Sequence, residues 1–184
     1  AKGKLTPPLD KFLAFSEAVI LANENKPDAA RNVLAQAREV IEQFQLTFLN
    51  IQVNMVKAII SEKEQDYSSM AAGFETAIAL IDQSVVAGEL YLLKPQLYAE
   101  LATAQIAMGE LAAAEKSIHA GALLDPSEPL LWLAEARLKQ SKNMPQMALA
   151  SVNYALAIWK DADDNYENAN RARALAQELQ SLIQ

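Results

Sequence analysis

Tyr98 and Trp132 stand 34 positions apart, and the residues that follow each of them repeat at the same distance: Ala102 and Ala136, Ala114 and Ala148, Ile118 and Val152. A fixed period of this length marks a chain whose core is made by stacking copies of one supersecondary unit, since a single copy cannot bury its own apolar face. Fainter copies lie upstream, with Ala18, Ala30, Leu34 and Ala37 in one and Ala58, Tyr67, Phe74, Ala77 and Ile78 in the next. The corresponding alanines Ala18, Ala58 and Ala102 are separated by 40 and 44 residues.

Each copy reads as two helices and a turn. Stripes at helical spacing run through Phe12, Phe15, Ala18 and Val19, then through Ala30, Val33, Leu34, Ala37 and Ile41, with Pro27 where a first helical turn tolerates it. The spacing predicts hairpins at about 9–44, 48–84, 95–126 and 129–160, and a closing amphipathic helix over 163–184. Thr6-Pro7-Pro8 breaks any earlier helix. Val85 to Lys94 is the least regular stretch and is expected to lengthen one helix and lead into the next.

Composition supports helix over sheet: hydrophobic residues make up 52%, much of it alanine, against only 5 glycines. The fold class expected is all-α, a right-handed solenoid of about four hairpins with a capping helix, over 1–184 as one repeat domain. Net charge is −7 with no basic stripe, which argues against a nucleic-acid ligand. Without cysteine there is neither a disulfide framework nor a thiolate metal site. The compartment stays open, with bacterial cytoplasm expected ahead of periplasm. No apolar run approaches the roughly 20 residues a spanning helix needs, so direct membrane insertion is not expected. The chain opens on Ala1, and a processed chain or an excised domain is the expectation.

The best copy, Tyr98, Leu101, Ala102, Ala114, Ile118 and Pro126, resembles the tetratricopeptide repeat, as does the next with Trp132, Ala136, Ala148, Val152, Ala155 and Leu156. Alanines suit these places because helices approach closely where a side chain lacks bulk, without the entropic cost of glycine. The chain departs from the family pattern in carrying alanine for its glycine, Met70 for the second copy's alanine and Lys160 for the closing proline. The long inner periods leave a HEAT-like or irregular α-solenoid as a rival architecture.

The resemblance implies a scaffold that receives another protein or peptide in a groove lined by the first helix of each pair. That face would carry Phe12, Phe15 and Val19, then Met55, Val56 and Ile59, then Ala99, Thr103 and Ile106, then Leu133 and Arg137. So apolar a face suits an amphipathic helix or an extended apolar peptide, or a second copy of the chain in an assembly module; tight curvature or the N-terminal segment covering it is the alternative. The Lys, Asn and Arg of a carboxylate clamp are missing, their places being held by Phe15, Val19, Val56, Gln96 and Glu100.

Asp161, Asp163 and Asp164 have the alternation of a calcium loop, but Tyr166 replaces its turning glycine and Ala172 its bidentate glutamate, so a helix start is the reading preferred. His119, the lone histidine, reads as a surface or groove-rim residue. No phosphate loop or hydrolase motif occurs, so no cofactor, metal or catalytic residue is expected.

Overall fold

A computed structural model describes residues 9–43, 47–84 and 88–183, with side chains at all of these except positions 9–12, 40 and 47. The Thr6-Pro7-Pro8 break, the first part of the Val85–Lys94 stretch and the Phe12 side chain therefore lie outside the described residues. The described residues are helical, without strands: α1 (Leu9–Asn23), α2 (Pro27–Gln43), α3 (Asn50–Lys63), α4 (Tyr67–Gln83), α5 (Gly88–Tyr91), α6 (Lys94–Ala107), α7 (Leu111–Leu124), α8 (Pro129–Ser141), α9 (Pro145–Ile158) and α10 (Glu167–Ile183). A 3-10 turn, Thr47–Leu49, leads into α3.

The chain divides into two compact units, Ala1–Tyr91 and Leu92–Gln184. In the first, α1 pairs with α2 and α3 with α4, and α3 packs on both helices of the preceding hairpin. The second repeats the plan: α6 pairs with α7 and α8 with α9, α8 packs on both α6 and α7, and α10 closes on α9. Within Val85–Lys94, the described residues Gly88–Tyr91 form a separate one-turn helix, followed by Leu92 with 77% of its surface exposed.

All four hairpins turn in the same way. Asn25, Gln65, Gly109 and Asn143 take the left-handed conformation, with φ of +59°, +60°, +78° and +59°. Each donates its N–H three residues back, and the next residue donates five residues back: Lys26 to the Leu21 carbonyl at 2.9 Å, Asp66 to Ser61 at 2.9 Å, Glu110 to Gln105 at 2.8 Å, Met144 to Lys139 at 2.9 Å. This is the Schellman closure, which satisfies carbonyls the ending helix leaves over. The left-handed residues stand 40, 44 and 34 positions apart, the same intervals that separate the repeated alanines. The second helix of each hairpin begins two residues later, at Pro27, Tyr67, Leu111 and Pro145. Asp66 caps α4 by accepting from the Ser69 N–H at 3.0 Å.

The helix crossings are lined with alanine. Ala18, Ala30, Ala58, Ala77, Ala102, Ala114, Ala136, Ala148 and Ala155 have no exposed surface, and neither has Met70. Ala37 is buried as well. Around them close Leu34, Ile41 and Ile60 in the first unit, and Leu133, Val152, Leu175 and Leu179 in the second. Trp132 is half-buried, its Nε1–H donating to the Pro126 carbonyl at 2.9 Å and its ring lying 4.3 Å from that of Tyr154. Trp159 is buried, edge-on to Tyr166.

Both hairpins of the second unit carry a buried polar contact at one register. The Ser117 hydroxyl donates to Gln105 Oε1 at 2.8 Å. Thirty-four residues on, Lys139 Nζ donates to Ser151 Oγ at 2.9 Å and ion-pairs with Glu135 at 3.0 Å, while the Ser151 hydroxyl donates to Glu135 at 3.0 Å. Nothing in these residue types marks them in the sequence, although their offset is that of Tyr98 and Trp132.

Candidate functional site

Helix α1 places Phe15, Val19 and Ile20 along one side of an open depression, and α3 places Gln52, Met55, Val56 and Ile59 along the other. The three- and four-residue intervals put each set on one helix face. The depression holds about 380 Å³. Phe15 and Val56 are buried in its floor, Val19, Met55 and Ile59 are half-buried on its walls, and Ile20 stands 57% exposed at its rim. Five of the residues expected in a groove, Phe15, Val19, Met55, Val56 and Ile59, thus border one apolar surface.

Two polar residues border it, Ser16 and Gln52. Gln52 Oε1 is buried and, among the described residues, has no hydrogen-bond partner. A buried acceptor left in this state costs on the order of 1–3 kcal/mol. No sequence argument had pointed to Gln52, because one glutamine on a helical stripe is indistinguishable from a solvated one until its surroundings are known.

In the second unit Ala99, Thr103, Leu133 and Arg137 also come together, joined by Glu100, Leu130, Asn168 and Arg171. The space they border holds about 10 Å³, room for a water and not for a side chain. Ala99 and Leu133 are buried, and Ile106 packs instead against Ala102, Ala114, Ala134 and Leu138. The apolar character expected of the whole face therefore belongs to the first unit; in the second, charged side chains and α10 occupy the corresponding place.

His119 is exposed and borders a different cleft of about 490 Å³ with Met144 and Met147. At its edge Lys142 bonds Glu115 at 2.7 Å, which holds that carboxyl below its usual range. Asp163 and Asp164 use backbone carbonyls, accepting from the Tyr166 N–H at 2.9 Å and the Asn170 side chain at 2.8 Å. Among the described residues no group of three or more His, Asp or Glu gathers as metal ligands, and no helix is long and apolar enough to cross a membrane.

No family model matches the chain, and no curated protein matches it either. A solved structure does. A chain of the crystal structure of the APC/C hetero-tetramer Cut9-Hcn1, a tetratricopeptide-repeat protein, superposes with a TM-score of 0.64 at 16% identity over 88% of the present chain. The fold is tetratricopeptide-like. The matched part is 29% of that solved chain, so the protein spans less than a third of its neighbour's length. In tetratricopeptide-like terms, α1 and α3 are the first helices of consecutive hairpins, the ones between which the apolar depression opens.

Proposed function

We propose that the chain is a protein-binding scaffold whose docking site is the depression between α1 and α3, and that its ligand is an apolar peptide segment of a partner protein. The observation that carries this is the open apolar depression of about 380 Å³ bordered by Phe15, Val19, Met55, Val56 and Ile59. Apolar side chains of the segment would supply affinity by leaving water, at roughly 25 cal/mol per Å². Rotation of the Gln52 side chain would bring its amide oxygen to a backbone N–H or a hydroxyl of the same segment and fix its register. The neighbour is known in a hetero-tetramer of Cut9 with Hcn1, which agrees with a partner-holding role for a tetratricopeptide-like array.

The test is selection of peptides from a displayed library against the full chain, followed by titration of the winners with variants. Peptides with apolar residues at helical or alternating spacing are expected to bind. Met55→Glu and Ile59→Glu, both at half-buried walls, should abolish binding while leaving the circular dichroism intact. Gln52→Leu should weaken it about tenfold through the lost hydrogen bond. Phe15 is unsuitable for this purpose because, at 9% exposure, a charge there enters the core. Selected peptides that bind Met55→Glu as well as the natural chain would end the proposal. A concentration-dependent dimer in light scattering, disrupted by Met55→Glu, would assign the surface to a second copy instead.

A further inference from the structure

The opposite face of α3 borders a larger cleft, of about 530 Å³, between α2, α3 and α4. Its origin lies in the register shared by the four hairpins. Gln105 and Lys139 occupy the place four residues before the left-handed residue of their turns, and each meets a serine twelve residues on, Ser117 and Ser151. The same two places in the second hairpin hold Ser61 and Gly73, and both border the cleft. Gly73 has no side chain to offer, and none fits: a Cβ there would lie 2.9 Å from the Ala58 Cβ and 3.0 Å from the Asn54 carbonyl oxygen. Close approach of α3 and α4 thus leaves the Ser61 hydroxyl facing the cleft. Ser61 is 9% exposed, and its hydroxyl has no partner among the described residues.

Three cations border the cleft near this hydroxyl. Arg31, Arg38 and Lys57 border the cleft against one carboxylate, Asp66, which is already engaged as the cap of α4. Arg31 is held by Glu64 and Asp28, and Arg38 touches Glu42 at 3.4 Å. Lys57 has no partner among the described residues. Lys57 is thus an unpaired cation beside a hydroxyl donor that has no partner among the described residues.

We infer that the cleft between α2, α3 and α4 is a second docking site, one that takes an acidic peptide segment by seating a carboxylate against Lys57, Arg38 and the Ser61 hydroxyl. The unpaired Lys57 selects this occupant, since a carboxylate supplies its counter-charge while a basic segment would be repelled. The volume accommodates a carboxylate side chain with its flanking backbone, and Leu34, Ala35 and Ala72 give that backbone an apolar bed. The site is separate from the apolar depression, because Asn54, Lys57 and Ser61 lie on the face of α3 opposite Gln52, Met55 and Ile59.

The experiment uses fluorescence anisotropy with the full chain and a labelled peptide of alternating alanine and glutamate, beside the same peptide with glutamine. The glutamate peptide should bind with strong salt dependence, and the glutamine peptide at least about tenfold more weakly. Lys57→Glu should weaken binding by about tenfold or more. Ser61→Gln, which installs the third hairpin's residue, should fill the cleft and remove binding, and Ser61→Ala should cost about threefold. Lys116→Glu, an exposed charge reversal in the other unit, should leave affinity unchanged. Circular dichroism of each variant reports folding. Equal binding of the two peptides, no binding of either, or binding indifferent to both Lys57→Glu and Ser61→Gln overturns the inference. Inorganic phosphate displacing the glutamate peptide at equal concentration would also overturn it, since the peptide's backbone would then contribute nothing.

Discussion

Exchanging Gly109 for glutamine and Gln65 for glycine should move stability in opposite directions by about the same amount. Both residues sit at the left-handed position of the same Schellman turn, with φ of +78° and +60°. Nothing lies within 4 Å of the point where a Cβ on Gly109 would stand, so the substitution meets no neighbour and reads the backbone alone. An L-residue held in that conformation costs about 1–2 kcal/mol relative to glycine. Against this, a glycine retains more freedom in the unfolded chain, which returns about 0.4–1 kcal/mol. The difference is about 1 kcal/mol lost for Gly109→Gln and about 1 kcal/mol gained for Gln65→Gly. That corresponds to shifts of about 2–8 °C in Tm, the larger values applying if each unit melts by itself. Thermal melts followed by circular dichroism, with urea midpoints as a second measure, would show it. Shifts of the same sign in the two variants, or a neutral Gly109→Gln, would refute the claim that one strained turn geometry is shared by all four hairpins.

Ala114→Leu should cost about 1–3 kcal/mol by overpacking a crossing with no exposed surface, whereas Ala112→Leu on the exposed side of α7 should be nearly silent in the same urea titration. Ser117→Ala leaves the Gln105 amide oxygen buried without its donor and should destabilise by about 1–3 kcal/mol, read by the same method. The Asp66 carboxyl is held below its ordinary value of 3.8 by the hydroxyl and N–H of Ser69. Its contribution is therefore complete above the unfolded value and disappears as pH falls through the lower folded one. Asp66→Asn keeps a capping oxygen but removes the titration, so the fall in urea midpoint below about pH 4 should be shallower in the variant; an unchanged slope would contradict the capping role.

The hairpins were legible because their cause is periodic. Tyr98 to Trp132 gives the interval, Ala102, Ala114, Ala136 and Ala148 give the crossings, and Pro27 gives a helix start. The five residues around the apolar depression were legible for the same reason, as stripes on α1 and α3. Three things were not. The Gly88–Tyr91 helix follows no repeat, so period carries no information about it. The polar interior contacts of Ser117 and Ser151 depend on which way a serine on an otherwise amphipathic helix faces, and serine is common on either face. The split of the expected groove into an apolar part and a closed, charged part depends on α10, whose Asn168 and Arg171 reach Leu133 and Arg137 from far along the sequence.

The unequal periods of 40, 44 and 34 are taken up between the tips, where the count from left-handed residue to following helix never changes. The second helices α2 and α4 run 17 residues against 14 in α7, and the joints lengthen too: Gln43 to Asn50, where Thr47–Leu49 coils, and Gln83 to Lys94, where Gly88–Tyr91 coils, against only Leu124 to Pro129 at the short joint. Length can vary at these seams while the tips stay rigidly specified. An engineer wishing to splice a tag or a reporter into this protein should choose 84–93 over 24–26.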